Sequence, residues 1–299
     1  MEQRLFGRTG LSVSVLGFGG AEIGFGATDK DIVATLLNEA LDAGLNVIDT
    51  AECYVDSEEK IGQAVSHRRR DFHLFTKVGH QHGPSGGADW SDTSITATIE
   101  RSLQRLKTDV LDLVQLHSCS AAELAKGECI EALEKARKSG KTRHIGYSGD
   151  GVDAVAAVRT GRFDALQTSI NVADQRVLNE ALPLAVKAGM GVIAKRPIAN
   201  AAWQHAEQPA NGYHVEYWRR LKALDYGFLG KSLDDAAAIA LRFTLSQPGV
   251  HTAIVGTTKP GRFIQNVAAI KLGQLPEPGL NAIRGRWKAV AEQSWVGQV

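Results

Sequence analysis

Short aliphatic and β-branched runs alternate along this chain with longer stretches whose apolar residues recur every three or four positions. The runs are Val13–Phe18, Asn46–Asp49, His73–Lys77, Val110–His117, His144–Ser148, Ala165–Ile170, Gly191–Lys195 and Thr252–Gly256. Leu111–Leu116 and Val192–Ala194 are continuous rather than alternating, as expected of strands covered on both faces in a parallel sheet. Polar residues gather at the carboxyl ends of these runs. Helical spacing appears around Ile32, Leu36 and Ala40, and around Ile95, Ile99, Leu103 and Leu106. Asp92-Thr93-Ser94 offers N-caps before Ile95, and Gly140 stops a helix expected over Glu128–Ser139 after its basic last turn. Gly44 and Gly189 close two others.

Eight strands alternating with helices predict an α/β protein, either a doubly wound sheet or a closed (β/α)₈ TIM barrel. No linker, composition shift or low-complexity segment divides the sequence. One barrel domain over residues 1–299, with extensions, is therefore the expectation. The largest interruption is Ala199–Gly230, a long loop after the seventh strand carrying Trp203, Tyr213, Tyr217 and Trp218. An aromatic loop at that end of a barrel is where a substrate lid would lie.

Charge narrows the function classes. There are 34 basic and 33 acidic residues, a net of +1, whereas a nucleic-acid binder needs a cationic surplus. No apolar run reaches the roughly 18 residues of a membrane span. Leu11–Gly26 is broken by Ser12, Ser14, five glycines and Glu22, so it is no signal-peptide core. Three cysteines (Cys53, Cys119, Cys129) cannot build a disulfide framework and fit a reducing compartment. The expectation is a cytoplasmic protein without nucleic-acid or membrane partners.

Several motifs begin well and fail. Gly17-x-Gly19 meets Glu22 where a dinucleotide fingerprint needs its third glycine. Gly140-Lys141-Thr142 has Lys135 where a P-loop starts with glycine, and Gly146-Tyr147-Ser148 ends a nucleophile-elbow pattern on Asp150. His80-Gln81-His82 lacks companion ligands and reads as a polar loop, so no metal is expected. His67-Arg68-Arg69-Arg70 reads as a solvated turn.

The chemistry lies elsewhere. Asp49, Lys77 and His117 end the second, third and fourth strands, and Tyr54 follows in the loop after the second. Singly, each has a bland explanation: a helix cap, a snorkelling lysine, a packed phenol, a satisfied core histidine. Together they mark the end of a barrel where active sites of that fold lie. A phenol with a reference pKa of about 10 delivers protons poorly near neutrality, and a neighbouring ammonium lowers that value. The buried lysine in turn needs a carboxylate, which Asp49 supplies. A histidine opposite can orient a carbonyl oxygen. Such a tyrosine protonates the alkoxide formed when hydride reaches a carbonyl, or deprotonates an alcohol in reverse.

These residues sit within segments that resemble the aldo-keto reductases. Arg4–Ser14 resembles the family's N-terminal β-hairpin. Asp49-Thr50-Ala51, Tyr54 and Ser57-Glu58 resemble its tyrosine motif, and Thr76-Lys77-Val78 its lysine strand. Ile99–Leu106, Asp109 and Asp112–His117 resemble its longest signature. Gly256-Thr257, Pro260, Arg262 and Asn266 resemble its adenosine-phosphate segment.

The resemblance implies an NADP(H)-dependent oxidoreductase acting on a small carbonyl or alcohol substrate, with NAD(H) as the alternative cofactor. Tyr54 would be the general acid, Lys77 and Asp49 its tuners and His117 the orienting residue. Gln167 and Ser148 would hold the nicotinamide carboxamide, Arg262 the 2′-phosphate and Asn266 the adenine. Gly20, Asp49, Lys195, Arg196, Pro197, Gly256, Thr257, Thr258 and Gln265 complete the implied cofactor contacts. A helix starting near Pro260 would present its positive end to the phosphate.

Three departures stand out. Gly149 replaces an Asn, Lys195-Arg196 replaces a stacking aromatic and would meet the pyrophosphate instead, and Gly256 replaces a phosphate-binding Lys, leaving Lys259 as a second cation. A non-catalytic nucleotide-sensing barrel is the competing reading; an unrelated barrel hydrolase or isomerase is a third.

Overall fold

The computed structural model describes residues 1–26, 28–80 and 89–298. An antiparallel hairpin of β1 (Gln3–Leu5) and β2 (Ser12–Ser14) precedes a closed parallel barrel. Its strands are β3 (Leu16–Gly19), β4 (Val47–Asp49), β5 (His73–Val78), β6 (Leu111–His117), β7 (Thr142–Ser148), β8 (Ala165–Ser169), β9 (Gly191–Lys195) and β10 (Thr252–Val255), with β10 pairing back onto β3. Around them run α1 (Ala21–Phe25), α2 (Lys30–Asp42), α3 (Ser57–Val65), α4 (Asp92–Leu106), α5 (Ala121–Lys126), α6 (Glu128–Lys138), α7 (Gly151–Arg159), α8 (Ala181–Lys187), α9 (Gly212–Leu224), α10 (Leu233–Leu245), α11 (Arg262–Ile270) and α12 (Glu277–Val290). The doubly wound alternative is excluded by that closure.

The hairpin serves the barrel. Phe6 follows β1, is fully buried, and stacks on Phe75 of β5 with ring centroids 5.7 Å apart. It joins Val13, Val47, Leu113, Ala165 and Ile193 in one apolar cluster. Burying such a ring stabilises the fold by roughly 1.5–3 kcal/mol.

Some boundaries differ from the sequence pattern. The run Val13–Phe18 is two strands: Val13 and Ser14 belong to the hairpin, and the barrel strand starts at Leu16. Ser14 and Asn46 make the break, exchanging side chain-to-backbone hydrogen bonds of 2.6 and 2.9 Å. Ser91, not the Asp92–Ser94 triplet, caps α4, its hydroxyl accepting from the Ser94 N–H. On α2 the core face is Val33, Leu36, Leu37, Ala40 and Leu41, while Ile32 is exposed. Gly44, Gly140 and Gly189 all have positive φ and end helices as expected.

The segment 199–230 is ordered and largely packed, where the sequence suggests an irregular loop. It holds two 3₁₀ turns and α9. Tyr217, Leu221, Leu224 and Tyr226 are buried with Phe243, Ile283, Trp287 and Trp295 in a second apolar core. Trp203 and Trp218 pack against this core while partly buried, and Tyr213 is exposed.

Candidate active site

In a parallel barrel every strand ends at the same mouth, so register decides which side chains share a level. Lys77 lies opposite Gln115, His117 opposite Ser148, and Ser148 opposite Gln167. Asp49 ends β4 beside β5. The structure thus brings Asp49, Tyr54, Lys77 and His117 together.

Lys77 is buried, which rules out snorkelling. Its ammonium donates to Asp49 Oδ2 and, at 2.8 Å, to the Thr50 carbonyl. Burial opposes the charge, but Asp49 and Tyr54 outweigh it and hold the ammonium above its ordinary pKa. The Nζ atom lies 5.0 Å from the Tyr54 ring centroid. The ring also meets Phe25 at 5.5 Å and His117 at 5.7 Å. Part of Tyr54 is accessible, yet its hydroxyl end is closely surrounded by protein. Burial therefore raises the phenol above its ordinary pKa. Lys77 pulls it down, but by less. The expected net lowering is corrected accordingly: the lysine moderates a desolvation penalty, and the phenol stays protonated. Burial likewise holds His117 well below the usual imidazole range, reinforced by Lys77, His80, Lys195 and Arg196. His117 is a neutral imidazole.

The loop carrying Tyr54 is held tightly. Val55 has φ +50°, a conformation that costs a β-branched residue roughly 1–2 kcal/mol. The Ser57 N–H donates to the Tyr54 carbonyl at 2.9 Å, and the Ser57 hydroxyl donates to the Gly20 carbonyl at 2.8 Å. Behind them, Glu58 accepts from Thr76 at 2.7 Å, and Glu52 accepts from Arg101 and Arg105.

Two residues of the site escaped the sequence reading. Gln115 Nε2 donates to Asp49 Oδ1 at 3.1 Å, so a polar residue inside an apolar strand supports the carboxylate. Its position in a doubly covered strand was the signal. The other is Cys53, whose Sγ lies 3.5 Å from His117 Nδ1. Cysteine reads as one more small apolar residue, and nothing in the spacing marks it.

The residues implied for cofactor contact fall into two groups. Gln167 and Ser148 are together: Ser148 donates to Gln167 Oε1 at 3.1 Å, and Gln167 Nε2 donates to Asp49 Oδ1 at 2.8 Å. Lys195 and Arg196 have protein partners. Lys195 pairs with Asp150 at 2.9 Å. Arg196 donates to Tyr213, Ser169 and the Gln298 carbonyl. The buried Asp150, which ends the failed elbow motif, also accepts from Thr168 and the Ser169 N–H. Pro197 is buried, its carbonyl accepting from Thr244 at 2.9 Å.

At the other edge, Thr257 accepts from the Lys259 N–H at 3.0 Å, and Thr258 and Lys259 continue the loop into α11. That helix starts at Arg262, two residues beyond Pro260, and the N–H of its cap Gly261 donates to Glu39 at 3.1 Å. Arg262 pairs with the largely exposed Asp234, Gln265 is exposed and Asn266 is buried. Gly256 has a local cause. A Cβ there would lie 1.7 Å from the Glu22 carboxylate, which occupies the space a lysine stem would need and whose pKa desolvation pushes up to about 7.

Gly149 has one as well: a Cβ there would lie 2.5 Å from the Tyr147 hydroxyl and equally close to its ring. Tyr147 is fixed by donating to the Cys119 carbonyl at 2.7 Å. Gly149→Asn should therefore lower the denaturant midpoint, at an overpacking cost of about 1–3 kcal/mol. An unchanged midpoint would show that Tyr147 moves aside freely.

His80 packs edge-on against His117 at 5.0 Å, while Gln81 and His82 lie outside the described residues. Among the described residues no His/Cys/Asp/Glu group could hold a metal ion, and no helix is long and apolar enough to cross a membrane.

Comparison with known proteins agrees with the barrel fold. The aldo/keto reductase family model covers residues 15–288. The oxidoreductase YqkF of Bacillus subtilis (strain 168) is 29% identical, over 96% of this chain and 97% of its own. L-galactose dehydrogenase of Arabidopsis thaliana is 29% identical, over 90% and 88%. Among solved structures, the holo form of an aldo-keto reductase from Bacillus halodurans has a TM-score of 0.84 at 27% identity, covering 99% of each chain.

Proposed function

This chain belongs to the aldo/keto reductase family, and we propose that it is an NADP(H)-dependent oxidoreductase that interconverts an aldehyde or ketone and the matching alcohol or sugar. One observation carries the reading: the ammonium of the buried Asp49–Lys77 pair lies 5.0 Å from the Tyr54 ring, which in turn meets His117 edge-on at 5.7 Å. A nucleotide sensor has no need of that proton donor. Oxidation of NADPH upon addition of aldehydes, ketones or sugars, followed by absorbance, tests the proposal; tight NADPH binding without turnover of any of them would favour the sensor.

The residues present fit an extended nicotinamide dinucleotide. Gly19 has no side chain where β3 ends, and Ser148 and Gln167 supply a hydroxyl and an amide inside the mouth. Arg262 and Asn266, one helical turn apart on α11, supply a guanidinium and an amide at the rim. When bound, the dinucleotide supplies the hydride in reduction. The chain supplies everything else. Tyr54 gives its phenolic proton to the substrate oxygen as negative charge develops there, His117 donates a second hydrogen bond to the same oxygen, and Lys77 stabilises the phenolate left behind. Asp49 keeps Lys77 charged, and Gln115 and Gln167 keep Asp49 in place.

Arg262 sets the cofactor preference in this reading. Its partner Asp234 is 60% exposed, and a surface pair of that kind contributes about 0–1 kcal/mol. A charge-assisted bond to a 2′-phosphate contributes about 1.5–3 kcal/mol, so the phosphate displaces Asp234. Arg262→Ala should weaken NADPH binding by that amount and leave NADH nearly unchanged. Dissociation constants from tryptophan fluorescence quenching decide it: equal losses for both cofactors would mean Arg262 does not read the phosphate.

A further inference from the structure

The neutral imidazole of His117 carries one proton, and its usefulness to a carbonyl substrate depends on which nitrogen holds it. With the proton on Nε2 the ring can donate to the substrate oxygen. With the proton on Nδ1, a lone pair on Nε2 would face an oxygen that is gaining negative charge. The surroundings of Nδ1 decide between the two, and the sulfur of Cys53 lies 3.5 Å from it. Around the ring, Tyr54 and His80 make edge contacts, at 5.7 and 5.0 Å between centroids.

We infer that Cys53 is a positioning residue: its S–H donates to His117 Nδ1 and so fixes the tautomer that presents Nε2–H to the substrate. The inference rests on the oxidoreductase reading above for its catalytic consequence, though not for the tautomer itself. Chemistry gives the hydrogen bond its direction. An imidazole nitrogen is a good acceptor and a thiol sulfur a poor one, so S–H to N is the favoured pairing. The thiol also keeps its proton. Burial pushes its pKa up to about 11 against the opposing pull of Lys77, which makes Cys53 a donor and a poor nucleophile. Its place in the chain serves the same end, since Cys53 directly precedes Tyr54 and one loop therefore sets both the proton donor and the orientation of its partner. This arrangement parallels metal-binding histidines, where the group bonded to one ring nitrogen determines the state of the other.

The test uses the full chain with ¹⁵N-labelled histidine, His117→Gln assigning the resonances, together with Cys53→Val and Cys53→Ser. Val keeps the volume and loses the donor; Ser keeps a donor. The wild type should show the Nε2–H tautomer, and Cys53→Val a mixture. In Cys53→Val, kcat should fall about three- to tenfold, the worth of one modest hydrogen bond. NADPH affinity should hold, and Cys53→Ser should recover part of the rate. A packing role would make Ser the worse replacement and leave the tautomer untouched. An Nδ1–H tautomer in the wild type, or a Val variant matching the wild type in both spectrum and kcat, overturns the inference. If no carbonyl is turned over even by the wild type, the oxidoreductase reading fails on its own, and the spectra still decide the hydrogen bond.

Discussion

Tyr54→Phe should abolish nearly all turnover while leaving the fold and the affinity for NADPH almost unchanged. The ring's contacts with Phe25, His117 and the Lys77 ammonium involve the aromatic face and edges, which phenylalanine keeps. What disappears is the proton that must reach the substrate oxygen as hydride arrives. Losing general acid catalysis costs about a hundredfold to ten-thousandfold in rate. The pH dependence has a definite sign as well. Reduction needs the phenol protonated, and burial holds it above its ordinary pKa, so the wild-type reduction rate should show no loss from Tyr54 through neutrality and beyond. Alcohol oxidation needs the phenolate and should climb with pH over the same range. Steady-state rates in both directions, with a thermal melt to confirm folding, check the set. Near-normal reduction by Tyr54→Phe would remove Tyr54 from its assigned role.

The barrel was readable because its strands are covered on both faces, which turns each into an unbroken apolar run ending in polar residues at one common mouth. Asp49, Lys77 and His117 were legible as strand-end exceptions to that rule. The misreadings have local causes. Val13–Phe18 looks like one strand because the apolar pattern does not register the Ser14–Asn46 hydrogen bonds that divide it. The aromatic segment reads as an irregular loop because aromatic content does not reveal that Trp203, Tyr217 and Trp218 pack against a second core, with Tyr213 left exposed. The partners of Lys195 and Arg196 are invisible in the sequence because Asp150, Ser169 and Gln298 are reached only through folding. The steric cause of Gly149 and Gly256, the Tyr147 ring and the Glu22 carboxylate that fill the space, is likewise absent from the sequence.

Lys77→Met and Asp49→Asn should each damage both rate and stability, and their combination should separate the two effects. The Lys77–Asp49 pair is fully enclosed, each side chain only 1% exposed. Removing either partner leaves a buried group without its counter-charge, which costs about 3–5 kcal/mol when a buried pair is broken one-sidedly. In Lys77→Met the stranded carboxylate still accepts from Gln115 and Gln167, so the loss should fall toward the lower end of that range. In Asp49→Asn the lysine keeps the Thr50 carbonyl and gains a neutral amide in place of its counter-charge, so it loses much of its reason to stay charged. The double variant buries no charge there at all, so much of the stability should return, a strongly non-additive cycle as expected for groups in direct contact. The rate should not return with it. Lys77 lowers the Tyr54 pKa against burial, so without it the rising limb of the pH profile for alcohol oxidation should move to higher pH, in Lys77→Met and in the double variant alike. Denaturant titrations of the four proteins and pH–rate profiles of the wild type, Lys77→Met and the double variant provide the check. A double variant with restored stability and an unshifted profile would mean that the pair holds the barrel together without tuning Tyr54, and a rate restored along with stability would reduce Lys77 to a structural lysine.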